Sequence, residues 1–320
     1  MSSFKTKLIK ELKEKRNITD SSIKMYLIHL EKTNDFLNNK REFENLDFLK
    51  KKKKILDEFF KNKSDTFKRN YTASYLSTLS TNKNKYDNLI TFYQKKIKEF
   101  QEPITHLIKN HIKTDKQKIN MVSTRYLNKI RLDLEKENKD IDINNPSIRD
   151  TFKYQDYVIS SIYTLYPPRR LEDYSNMKII TNSSFNNLSL SQKKKNNYVV
   201  IKKNKLLFVF TDYKTAKSYG IQEFEIKGKL KEILNKWIII NSTNNFLMKK
   251  DRTIINSNGL GKIVKRIFSN KEHPNITVNI IRHSFLSNKY EPKEEDKERD
   301  KDSKFMAHSK TLQNQYIKID

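Results

Sequence analysis

The chain has 320 residues, with 66 Lys+Arg against 38 Asp+Glu and a formal net charge of +28. Such a field attracts polyanions and makes counterion release dominate affinity. No apolar run approaches the roughly 18 residues of a membrane span, and the start MSSFKTKLIK carries no signal-peptide core, so nucleic acid is expected rather than lipid.

The absence of cysteine excludes disulfides, thiolate nucleophiles and Cys-based zinc sites. The six histidines are scattered. His106 and His111, five apart, have the wrong helical offset for a shared metal face. With 18 Phe and 16 Tyr the chain can build a core, and its length favours two domains over one.

In chain order, ITDSSIKMYLIHLEKTNDFLNN reads as a helix capped by Thr19, Asp20 or Ser21, with Ile23, Leu27, Leu30 and Leu37 as its apolar stripe. FENLDFLKKKKKILDEFFKNK predicts a second helix, SDTFKRNYTASYLSTL a third and YDNLITFYQKKIKEFQ a fourth. These make an all-helical unit. Its Lys50–Lys54 run is either a solvated face or a phosphate-facing one. From Glu102 to about Ile119 the chain turns polar around Pro103. The expected domains are therefore 1–108, a linker at 109–119, and 120–320.

VSTRYLNKIRLDLEKEN opens the second domain, and the next helix is stopped by Pro167–Pro168. NYVVIKKNKLLFVFTDYKTAKSYGIQEFEI alternates and predicts two or three antiparallel strands. Helices resume at KGKLKEILNKWIIIN, NSNGLGKIVKRIFS and TVNIIRHSFLSNKY, and EPKEEDKERDKDSK reads as an exposed loop or helix extension. A last helix starts near Met306. The predicted class is mainly α with a small antiparallel β-sheet: a helical N-terminal domain followed by an α+β domain.

Four clusters could carry chemistry: YPPRRLEDYSNMKI, DYKTAKSYG, VNIIRHSFLS and MAHSKTLQNQY. Arg282 lies in an apolar stretch and must reach the surface or be paired. With Arg169 or Arg170 it could clamp a phosphate as a pair of guanidinium forks. Lys214, at a turn between strands, is an ordinary surface lysine unless a phosphate sits beside it; there it could protonate a leaving oxygen. Tyr316 is a weak nucleophile in water, and nearby cations would favour its phenolate. His308 precedes it by eight residues, an offset that in one unbroken helix leaves the two on different faces, so a break between them is expected.

These clusters resemble those of the tyrosine recombinase (phage-type integrase) family. PPRRLEDY…M is similar to its first-arginine motif, with Arg170 followed by Asp173 and Met177, or Arg169 followed by Glu172. YKTAK resembles the strand-turn lysine motif, NIIRHSF the His-x-x-Arg box, and MAHSKTLQNQY the closing His…Tyr segment. The resemblance implies Tyr316 as nucleophile, Arg170 and Arg282 as the phosphate clamp with Asn279 and His308, and Lys214 as general acid. It also implies that the helical N-terminal domain is DNA-binding and the α+β domain catalytic, with duplex DNA as partner, a tetrameric synaptic complex, no membrane, and no metal or nucleotide cofactor. Asn279 departs from the family's histidine; it can donate to a phosphate oxygen but cannot serve as an imidazole base. Variants of this kind resemble integrase-like proteins of large DNA viruses, virophages and mobile elements, which implies an intracellular site of DNA processing. Type IB topoisomerases, catalytically inactive architectural DNA-binding proteins and Mg²⁺-dependent nucleases are the rival readings.

Overall fold

The computed structural model describes residues 3–40, 42–291 and 297–319. The chain divides into two compact units, Met1–Asn110 and His111–Asp320.

The first unit contains α1 (Ser3–Arg16), α2 (Asp20–Asn38), a three-residue α3 (Lys52–Lys54), α4 (Asp65–Leu79) and α5 (Lys83–Lys109). Thr19 caps α2 by accepting from the Ser22 amide, and Ser64 caps α4 through Phe67, each relieving one unpaired N–H of the first turn. Ile23, Leu30, Leu37, Tyr75, Leu79 and Tyr93 meet in the core. Two buried hydroxyls there are satisfied, Tyr75 by Thr33 at 2.5 Å and Tyr93 by the Leu49 carbonyl at 2.9 Å.

Residues 43–63, predicted as one helix, are instead broken into a 3₁₀ turn at Asp47–Lys50, α3, and a π turn at Ile55–Phe59. Leu46 and Phe48 are both buried, yet two residues in a helix point about 200° apart, so one straight helix could not bury both. The lysine run is divided among neighbours: Lys50 pairs with Asp47 and Lys51 donates to Asn38, while Lys52 and Lys54 lie over the Phe92 and Phe36 rings. Helix α5 continues through Pro103 to Lys109. Within the polar stretch that follows, α6 (Asp115–Asn120) is held by a Thr114–Gln117 capping box.

The second unit continues with α7 (Thr124–Glu137), α8 (Ile148–Thr164), α9 (Leu171–Ser175), β1 (Lys178–Thr181), α10 (Asn182–Asn186) and α11 (Leu190–Lys193). Then come β2 (Tyr198–Lys202), β3 (Lys205–Phe210), α12 (Ala216–Tyr219), β4 (Gln222–Ile226) and α13 (Gly228–Ile240). The last elements are α14 (Ser257–Phe268), α15 (Val278–Lys289), α16 (Lys297–Phe305) and α17 (Lys310–Tyr316).

The class is mainly helical, as expected, but the sheet is mixed. Its order is β1-β2-β3-β4, with β2–β3 and β3–β4 antiparallel and β1 parallel to β2. A parallel neighbour needs a crossover, supplied here by α10 and α11. Alternation works as predicted: Val199 and Phe208 face the main core with Trp237, Tyr174 and Phe246, while Tyr198, Val200 and Val209 face a smaller cluster around Phe185.

The charged stretch read as a loop or extension falls partly on 292–296, outside the described residues. Its remainder forms α16 and is anchored rather than exposed throughout, burying Arg299, Asp302, Ser303 and Phe305. Asp302 accepts from Tyr290 at 2.7 Å and from Lys289 at 2.8 Å. Among the described residues no helix is long and apolar enough to cross a membrane.

Candidate active site

Helix α8 ends at Thr164, before the Pro167–Pro168 pair, and the chain leaves it in extended conformation, with Arg170 at φ −71°, ψ 161°. Successive side chains on extended backbone point to opposite sides, and the two arginines part. Arg169 turns inward and is fully buried. Its Nε donates to Asp173 at 2.7 Å and its Nη1 to Gln222 at 3.0 Å and to the Phe305 carbonyl, while the guanidinium lies 3.7 Å from the centre of the Phe210 ring. Burial raises the Asp173 carboxyl above its usual range, and Arg169 pulls it back. Asp173, three residues after Arg170 in the motif, thus belongs structurally to Arg169.

Arg170 points the other way and stays partly exposed. Together with Lys214, Asp212, Asn176 and Ser257 it lines an open pocket of about 770 Å³. Lys214 is exposed in the loop between β3 and β4. The next residue, Thr215, donates to the Ala307 carbonyl at 3.1 Å, tying this loop to the segment that carries His308.

Helix α15 starts at the Thr277 cap and presents Arg282 one turn in. Arg282 is 2% exposed, and its Nη1 donates to the Pro168 carbonyl at 2.7 Å. Burial lowers its pKa, while the adjacent Tyr316 phenol acts in the opposite sense. Asn279 sits three residues earlier on α15 with its side chain exposed.

The break expected between His308 and Tyr316 is present. Helix α16 ends at Phe305, Ala307 adopts a left-handed φ of 53°, and Ser309 caps α17 by accepting from the Leu312 amide. His308 therefore precedes α17, and its ring stacks on Tyr316 with centroids 4.9 Å apart and an 18° interplanar angle. The Arg282 guanidinium lies 5.1 Å from the centre of the same phenol ring. Burial first, then Arg282, Arg170 and Arg169, push the His308 pKa down to about 2, so it is a neutral imidazole.

The structure thus brings Arg282, His308 and Tyr316 into direct contact, with Arg170 close enough to act on His308 and Arg282 electrostatically. Lys214 shares the Arg170 pocket. Asn279 makes no hydrogen bond to the other site residues among the described residues.

The sequence reading missed a second imidazole beside the phenol. His283 packs its ring at 4.6 Å from Tyr316, and its Nδ1 lies 2.7 Å from the Tyr316 carbonyl. Because a carbonyl only accepts, that nitrogen carries the proton. Burial holds His283 at a pKa of about 4. Ser287, one turn further on α15, donates to the same carbonyl at 3.4 Å. The four-residue spacing of His283 and Ser287 marks one helix face, but nothing local says that this face meets Tyr316.

The inner donors are not all satisfied. Nε and Nη2 of Arg282, Nη1 of Arg170 and Nη2 of Arg169 are buried without a hydrogen-bond partner among the described residues, as are both nitrogens of the neutral His308 ring, one a donor and the other an acceptor. Desolvated cationic donors without acceptors are costly, and an oxyanion seated among them would meet that need.

No family model matches the sequence, and no curated protein matches it. Among solved structures, the crystal structure of XerA recombinase aligns with 100% of this chain and 94% of its own, at a TM-score of 0.39 and 12% identity. A likeness of that size does not fix the family.

Proposed function

We propose that this chain is a tyrosine recombinase that cuts and rejoins duplex DNA through a covalent 3′-phosphotyrosyl bond at Tyr316. The observation that carries the reading is a phenol packed against Arg282 and His308, both of which keep buried polar atoms without hydrogen-bond partners, with a further unpartnered donor on the nearby Arg170. A phosphodiester in that position would meet its acceptor-seeking groups and its nucleophile together.

In the proposed step the Tyr316 oxygen attacks phosphorus, the P–O5′ bond breaks, and the departing 5′-oxygen takes a proton from Lys214. The phenolic proton passes to solvent, since both neighbouring imidazoles, with pKa values of about 4 and about 2, are weak bases. Arg282 and Arg170 hold the phosphoryl oxygens, and neutral His308 donates to one of them. Attack by a 5′-hydroxyl from a second duplex reverses the chemistry and exchanges strands, with no metal or nucleotide required in the balance. The helical first unit supplies further contacts to duplex DNA, and strand exchange proceeds in a tetrameric synapse. The motif resemblance favours integration or excision of a viral or mobile-element genome.

Asn279 favours one rival, a DNA-binding protein that has lost cleavage. The test is a suicide duplex, nicked so that the 5′-product is lost, built from terminal or repeat DNA of the parent element. The wild type accumulates a protein–DNA adduct mapped to Tyr316, and Tyr316→Phe loses it while retaining duplex binding. An adduct persisting in Tyr316→Phe overturns the assignment, and tight duplex binding without any wild-type adduct supports the rival.

A further inference from the structure

After Tyr316 the backbone is held by two different elements. On one side, α15 takes the Tyr316 carbonyl through His283 and Ser287, and the Lys318 amide donates to Ser287 Oγ at 2.7 Å. On the other side stands His111, 206 residues away in sequence from Ile317. Its Nδ1 lies 2.9 Å from the Ile317 carbonyl, and its own carbonyl accepts from the Ile319 amide at 3.0 Å. A parallel bridge between Ile112 and Ile319 completes the clasp. Ile317 itself is buried against Leu286, Tyr290 and Met306.

The residue type suits the position. The Ile317 carbonyl can only accept, so His111 carries its proton on Nδ1. His111 also sits at φ 56°, in the left-handed region that few non-glycine residues other than Asn, Asp and His adopt readily. It is the first residue of the second unit, directly after Asn110, the cap of α5. Helix α17 has only seven residues, too few to hold itself in water, so its orientation depends on how its two ends are tied. The Ser309 cap fixes the first end. At the other end α15 holds the Tyr316 carbonyl and the Lys318 amide from one side, and His111 adds two further points from a separate element.

We propose that His111 is a positioning residue for Tyr316, clasping Ile317 and Ile319 so that the phenol stays packed against Arg282 and the His283 and His308 rings. The inference rests on the reading of Tyr316 as nucleophile.

The test compares His111→Gly, which keeps the left-handed backbone but loses the side-chain donor, with His111→Asn, which keeps both. In the full chain, single-turnover adduct formation on the suicide duplex at saturating protein should slow between about 10- and 100-fold in His111→Gly, the range expected for a misplaced reacting group. His111→Asn should recover most of the rate, and duplex affinity should be unchanged in both. Amide hydrogen exchange over residues 312–319 should accelerate in His111→Gly and stay near wild type in His111→Asn. A wild-type cleavage rate in His111→Gly overturns the positioning role. So does a rate loss that Asn fails to restore, or one that merely follows loss of folded protein. If the wild type forms no adduct, the nucleophile reading fails by itself; the exchange measurement still decides the clasp, and unchanged protection in His111→Gly would refute it.

Discussion

The two imidazoles packed against Tyr316 should make the second unit unusually sensitive to mild acid. An unfolded histidine titrates near about 6.5, whereas burial holds His283 at about 4 and His308 at about 2. Between these values the unfolded chain binds more protons than the folded one, so stability rises with pH. The contribution is present in full above about pH 6.5 and is lost progressively as pH falls toward the folded values. At about pH 5 both folded rings are still neutral, and protonation favours the unfolded state by RT times the logarithm of about 30, roughly 2 kcal/mol for each. Together they remove about 4 kcal/mol from a total that is typically about 5–15 kcal/mol. The reporter is built in: Trp237 is the single tryptophan and is fully buried in the core of the second unit. Urea unfolding followed by its fluorescence at about pH 7.5 and about pH 5, in wild type and in His283→Asn/His308→Gln, isolates the effect. Wild type should lose about 4 kcal/mol more than the double variant over this interval. Equal losses would mean that neither ring is held neutral by the fold, and the account of two buried, neutral imidazoles packed against Tyr316 would fall with it.

The adjacent arginines should separate cleanly. Arg169→Ala leaves the Asp173 carboxylate buried and unpaired and should cost about 3–5 kcal/mol in the Trp237 transition. Arg170→Ala should cost less than about 1 kcal/mol yet stop adduct formation, and the opposite pattern would exchange their roles. Lys214→Ala should slow cleavage of an ordinary duplex but recover on one with a 5′-bridging sulfur, because a thiolate leaves without needing a proton. Failure to recover would remove Lys214 from the leaving-group step.

Much of the architecture is legible wherever one local rule dominates. The Thr19 cap, the stop before Pro167 and the alternation through β2–β4 depend on residues within a few positions of each other. Strand β1 is four residues long, too short to display a period, and its parallel pairing runs through a crossover. The broken second helix was hidden because its lysines and aromatics suit a helix individually, while joint burial of Leu46 and Phe48 does not.

Sequence alone determined the kinds of group available: an excess of cations, no thiols, and arginines, a lysine, a histidine and a tyrosine in a fixed order. It could not tell which of Arg169 and Arg170 turns inward, since that depends on which side of an extended backbone meets Phe210 and Gln222. Nor could it place His283, Ser287 or His111 around Tyr316, because their partners lie 33, 29 and 206 residues away. Local spacing encodes faces and caps, but which faces meet is set by burial of the whole core, and only tertiary structure carries that information.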